Sequence, residues 1–175
     1  IRPDQFISVA EETGLIVPIG KWVVRQACRM SKQLTAVGLG NLQVAINLSP
    51  KQFSDPDLVG SIAAILEEEH LPPELLELEL TEGLLLEATD GTRSQLNALK
   101  QLGLTLAMDD FGTGYSSLSY LKKFPIDVIK IDRSFIKDIP ENEDDMEITS
   151  AVIAMAHNLK PVSYTHLTLP TILLV

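Results

Sequence analysis

Residues 104–118 read LTLAMDDFGTGYSSL, and two adjacent carboxylates, Asp109 and Asp110, close an apolar run. Neighbouring acids repel, and burial makes each harder to charge, so a positive partner is expected beside them. Other runs place polar groups in similar positions. Asn47 lies near the end of LQVAINL, Glu79 in LLELEL, and Lys130 and Asp132 in DVIKID. Asn47, Glu79, Asp109 and Asp110 are hard oxygen donors, suited to Mg²⁺ or Mn²⁺. Zinc does not fit, because His70, His157 and His166 are scattered and no Cys/His cluster accompanies them. Two adjacent acids can serve two ions, and a pair of ions about 3.5–4 Å apart stabilises both the attacking and the leaving oxygen of a phosphoester. Lys130 would then orient or deprotonate the attacking water, or balance the phosphate.

The elements that must position these groups alternate. PDQFISVAEETG reads as a short helix stopped by Gly14, and residues 21–37 as a second, ended at Gly38. Strand 42–48 is followed by a helix in SDPDLVGSIAAILEEEH, with Ser54 or Asp55 as its cap and Leu58, Ile62, Ile65 and Leu66 as its apolar stripe. Strand 75–80, helix 92–102, strand 104–109, a short helix 116–123, strand 127–132 and a helix over 147–159 complete the series. Strands alternating with helices imply a parallel α/β sheet. Within each strand one face is apolar: Leu76, Leu78 and Leu80 oppose Glu77 and Glu79, while Leu104, Leu106 and Met108 oppose Thr105, Ala107 and Asp109. A doubly wound sheet buries both faces and would not carry acids on one. A (β/α)₈ barrel, with helices outside and reactive groups at the C-terminal rim, accounts for both faces.

The 175 residues suffice for one domain with a core, and 45% are hydrophobic. A formal charge of -10 argues against a nonspecific grip on DNA or anionic membranes. The single Cys28 suits a reducing, cytoplasmic setting and reads as a small core residue in its helix. No segment is long and apolar enough to span a bilayer, and no signal peptide is legible. The opening IRPDQF lacks an initiator methionine and reads as part of a longer protein.

NLSPKQF, LELELTEG, MDDFGTGYSSLSYL and FPIDVIKIDRSFI, together with FISVAEETGLIVPIGKWVVRQAC and AVIAMAHNL, resemble the EAL domain, the bacterial phosphodiesterase of cyclic di-GMP. The resemblance covers residues 1–160. It implies a (β/α)₈ barrel that hydrolyses cyclic di-GMP to linear pGpG with two Mg²⁺ or Mn²⁺ ions. By motif position Asn47, Glu79, Asp109 and Asp110 resemble the metal ligands. Lys130 resembles the lysine near the nucleophilic water, and Asp132 the acid supporting it. Glu82 resembles the glutamate that anchors the loop over 112–117, which also serves dimer contact in the family.

The departures set further expectations. The name-giving glutamate and the first two strands would lie upstream of Ile1. KPVSYTHLTLPTILLV carries neither the Glu-Gly-Val-Glu nor the Gln-Gly-Tyr strand of the family. Residues 1–160 therefore read as a partial EAL domain with about four of eight parallel strands, and residues 161–175 as a foreign tail. This fragment is expected to be inactive alone. The alternative reading is a catalytically silent EAL module that binds cyclic di-GMP or a protein. The tail is nevertheless β-prone over 162–169, and a place beside DVIKID is open to it, with Pro170 ending the strand and His166 near the site by accident.

Overall fold

The computed structural model describes residues 2–40, 42–111 and 123–132, with 134, 137, 146–147, 149–150, 154 and 165–167. Helix α1 (Pro3–Thr13) begins on a proline, where no helical hydrogen bond is lost, and ends at Gly14 with a left-handed φ of 76°. Helix α2 (Ile16–Ala36) starts earlier than the expected Lys21. Pro18 permits this, because amides of the first turn have no intrahelical acceptor. Its buried face comprises Ile16, Val24, Ala27, Cys28 and Ser31. Trp22, Met30 and Val37 remain exposed, so the apolar series read from the sequence only partly turns inward.

Strand β1 (Val44–Asn47) leads through a 3₁₀ turn (Pro50–Ser54) to α3 (Leu58–Glu68). The helix is preceded by Asp57, not capped by Ser54 or Asp55. Asp55 instead accepts the Asp57 amide at 2.9 Å and pairs with Lys21 at 3.0 Å. The expected stripe of Leu58, Ile62, Ile65 and Leu66 is buried. Strand β2 (Leu76–Thr81), the short α4 (Glu82–Leu86), α5 (Asp90–Gln101), β3 (Thr105–Phe111) and β4 (Val128–Ile131) follow. Thr89 caps α5 by accepting the Thr92 amide at 3.2 Å, and Gly103, with φ 98°, turns the chain into β3.

All strand pairings are parallel, in the order β1-β2-β3-β4-β5, where β5 is Thr165–Leu167. Four strands were expected from the matching part of the sequence. The fifth comes from the tail and pairs with β4 through Ile129↔Thr165, Lys130↔His166 and Ile131↔Leu167. Met146, Glu147, Thr149, Ser150 and Ala154 are helical, within or beside the span expected to be a helix. The helix expected over 116–123, the loop over 112–117 and Pro170 lie outside the described residues, apart from Lys123, which sits in a turn.

The alternation in the strands decides what each face meets. Leu76, Leu78, Leu80, Leu106, Met108 and Ile129 are all at most 1% exposed and share one core with Ile62, Leu66, Leu96 and Leu99 of the covering helices. Burial of each such side chain contributes about 1.5–3 kcal/mol. The opposite face carries the polar groups, with Asn47 exposed on the edge strand and Glu77, Glu79 and Lys130 buried further in. The arrangement is a partial (β/α)₈-type barrel. No helix among the described residues is long and apolar enough to cross a membrane.

Candidate active site at the strand ends

Register brings the polar groups together. In a parallel sheet, paired residues point to the same face. Asn47 pairs with Glu79, Glu79 with Ala107, and Ala107 with Val128, so these form one row across four strands. Thr81 and Asp109 occupy the next row toward the C-terminal ends. Asn47 Nδ2 donates to Glu79 Oε2 at 3.0 Å. Lys130 Nζ donates to Glu79 Oε1 and forms an ion pair with Glu77 Oε1 at 2.7 Å.

Lys130 stands on β4 and its two carboxylates on β2, so its side chain must cross β3. Strands lie about 4.8 Å apart, which makes the span about 10 Å. The residue of β3 in the Glu79 row is Ala107, which is 0% exposed. A larger side chain in that row would narrow the space between Lys130 and Glu79.

Asp109 and Asp110 share the end of β3 through a bulge. Met108 pairs with Ile129 but Phe111 with Ile131, so two residues oppose Lys130 alone. Asp110 takes a φ of 55° there, a left-handed conformation that aspartate tolerates better than most residues. Strict alternation would have sent Asp110 to the helix-covered face. The bulge keeps it exposed at the rim, next to the half-buried Asp109. Burial pushes the Asp109 carboxyl above the usual aspartate range, as does the charge of Glu79, while the Asp110 amide and Lys130 oppose the rise. Burial, the neighbouring charges of Asp109 and Asp132, and a hydrogen bond with Asp132 raise Asp110 likewise. Asp132 also accepts the Ser134 amide at 2.8 Å. Burial tends to lower the Lys130 ammonium, but its bonds to Glu77 and Glu79 outweigh this and raise it. It is therefore held charged, which suits orienting water or balancing phosphate better than abstracting a proton.

Glu82 is placed differently. It is the first residue of α4, 3% exposed, below the Thr81 hydroxyl that accepts the Leu84 amide at 3.4 Å. The loop it was expected to anchor lies outside the described residues. Two participants were not selected from the sequence. Glu77 shares the parity of Glu79, which was the signal available, and Ala107 shares it too. The bulge had only the Asp-Asp-Phe-Gly context as a hint.

The donor chemistry fits a hard divalent cation. Asp109 Oδ1 is buried with no hydrogen-bond partner, an acceptor suited to a cation. Asn47, Glu79 and Asp110 supply further oxygens. Among the described residues no three His, Cys, Asp or Glu side chains are yet gathered closely enough to hold an ion by themselves, and the Lys130 ammonium occupies Glu79.

The sequence matches the EAL domain family over residues 1–162. It is 48% identical over 157 residues to the signaling protein YkoW of Bacillus subtilis, covering 90% of this chain and 20% of that protein. It is 46% identical over 159 residues to the cyclic di-GMP phosphodiesterase NbdA of Pseudomonas aeruginosa, covering 91% of this chain and 20% of NbdA. The chain thus spans about a fifth of the length of these relatives. Among solved structures, the MucR phosphodiesterase of Pseudomonas aeruginosa in complex with cyclic di-GMP superposes with a TM-score of 0.82 at 42% identity, covering 91% of this chain and 69% of that one. The FimX EAL domain of Xanthomonas citri, also in complex with cyclic di-GMP, superposes with a TM-score of 0.81 at 26% identity, covering 91% and 62%. With nearly its whole length matched, the chain belongs to the EAL domain family.

Proposed function

We propose that the chain is part of a cyclic di-GMP phosphodiesterase that opens the cyclic dinucleotide to linear pGpG with two divalent cations, Mg²⁺ or Mn²⁺. The observation that carries this reading is the convergence of Asn47, Glu79, Lys130 and Asp109 on one face at the strand ends, with Asp110 kept at the same rim by the bulge. Asn47, Glu79, Asp109 and Asp110 would hold the cations. When bound, these would activate water and neutralise the phosphate. Lys130, held as an ammonium, would orient the water and balance the developing charge, with Asp132 beside it. Glu82 would brace the loop after β3, and through it a homodimer of the complete, cytoplasmic protein.

A second reading is an EAL module that binds cyclic di-GMP without cleaving it. The engagement of Glu79 by Lys130 favours it, since a ligand oxygen held by an ammonium is not free for a metal. One assay separates the two: incubation of the product of the reading frame containing this segment with cyclic di-GMP and Mn²⁺, followed by chromatography. The first reading expects pGpG that disappears with EDTA or with Asp109→Asn. Nucleotide binding with no pGpG under any metal condition supports the second. Metal-independent cleavage contradicts both.

A further inference from the structure

We propose that Glu77 is a positioning residue, the seat that keeps Lys130 in place when a divalent cation takes Glu79. The inference rests on the metal reading above. It starts from the geometry of three buried charges. Glu77 and Glu79 are 7% and 8% exposed and Lys130 is 8% exposed. The ammonium lies between the two carboxylates, 2.7 Å from Glu77 Oε1 and hydrogen-bonded to Glu79 Oε1.

The two glutamates differ in position along β2. They stand two residues apart on one face, about 6.6 Å along the strand. Glu79 is in the row of Asn47, directly below that of Asp109, while Glu77 pairs with Ala45 and Thr105, one row deeper. Glu79 therefore faces the metal-donor groups and Glu77 does not. A cation drawn to Glu79 would compete with the ammonium for the same carboxylate. In a water-poor interior the displaced ammonium needs an anion of its own, because an unpaired buried charge is costly. Glu77 is within hydrogen-bonding distance already. Lysine has three donors on a flexible stem, so it can keep the deeper bond while releasing the upper one.

Charge counting gives the direction. With Glu77, Glu79 and Lys130 the group has a net charge of -1, so a divalent cation enters a negative setting. With Gln at 77 the group is neutral, and the one carboxylate to which the lysine stays bonded is the one that the cation requires. Glu77→Gln should thus weaken metal binding through Lys130. A general loss of negative charge would act whether or not the lysine is present.

The test is a double-mutant cycle read as Mn²⁺ affinity by calorimetry, with circular dichroism as the check on folding. The full chain is used as wild type, Glu77→Gln, Lys130→Met and the double variant, with Glu77→Asp as the charge-retaining control and Asp109→Asn as the control on the metal reading. The expected result is a loss of tenfold or more from Glu77→Gln when Lys130 is present, and less than threefold when it is Met. Glu77→Asp should restore at least part of the affinity and keeps the question answerable should Glu77→Gln unfold. Equal losses in both lysine backgrounds, or no loss at all, overturn the seat while leaving the metal reading intact, provided that Asp109→Asn still abolishes binding. Mn²⁺ binding that is absent from the wild type, or unaffected by Asp109→Asn, overturns the metal reading and this inference with it.

Discussion

Replacing Asp109 with Asn should make the metal-free protein more stable and the metal-treated protein relatively less so. The reasoning begins with Asp109 Oδ1, a buried carboxylate oxygen with no hydrogen-bond partner. A buried carboxylate oxygen left unsatisfied costs about 1–3 kcal/mol, and Asn, which keeps an oxygen there, relieves only the part due to the charge that burial and Glu79 disfavour. The side chain is only half-buried and Lys130 attracts it, so the lower end applies, about 1 kcal/mol. For a domain of this size 1 kcal/mol moves the melting temperature by about 2–4 °C. In EDTA, Asp109→Asn should therefore melt about 2–4 °C above wild type. The pH dependence follows from the raised carboxyl. Its charged form disfavours folding, so the gain is full above the folded pKa and vanishes below the ordinary aspartate value of 3.8, where the native acid is already neutral. Metal reverses the order. A ligand at a hundredfold its Kd stabilises by about 2.7 kcal/mol, or about 5–11 °C here, and the variant should lose most of that shift. Thermal melts of both proteins at neutral pH, with EDTA and with a Mn²⁺ series, provide the measurement. A variant that melts at or below wild type in EDTA and keeps the full Mn²⁺ shift would refute the assignment of strain and ligand role to this oxygen.

Other outcomes test other parts of the fold. Leu106→Ala, at a side chain 0% exposed in the shared core, should cost about 2–5 kcal/mol, read from urea midpoints at constant slope. Glu69 accepts Lys32 Nζ at 2.6 Å and Arg29 Nε at 2.8 Å, and these bonds hold its carboxyl below the usual glutamate range. A depressed acid stabilises above its unfolded pKa and loses that contribution as pH falls through the folded one, so wild type and Glu69→Gln should differ at neutral pH and converge in acid. Ala107→Leu, which adds bulk at a side chain 0% exposed, should cost about 1–3 kcal/mol by overpacking, read as a lower Tm, and should also lower turnover in the complete enzyme. If residues 161–175 are foreign to the domain, the parent locus should encode a different continuation after Leu159; finding this tail there in frame would contradict that reading.

Much of the architecture was legible because it depends on period. The leucines of LLELEL and LTLAMD fixed which face the helices cover, and the same parity placed Asn47, Glu79 and Asp109 on the other. Element ends were less legible, because they depend on competition between local partners. Asp55 left its expected capping role for Lys21 and the Asp57 amide, and nothing in the local pattern foretold an ion pair reaching to α2. Asp110 escaped for another reason. A bulge breaks the alternation from which the strand was read, and it appears only when β4 sets the register. Glu77 was visible in phase, but its partner Lys130 reaches it from β4, two strands away.

That crossing also bears on how the chain assembles. Lys130 reaches its two glutamates across β3 only if β2, β3 and β4 are all aligned. A slip of one residue in β3 would place Leu106 or Met108 under the lysine and turn Ala107 toward the helices. A slip in β4 would send the ammonium into the leucine layer and leave two buried acids facing each other. Apolar strands tolerate misalignment because one leucine resembles the next, whereas this three-strand latch closes in one alignment only. It should form late and penalise misregistered intermediates, so its loss should lengthen refolding and increase aggregation more than it changes the final yield of secondary structure.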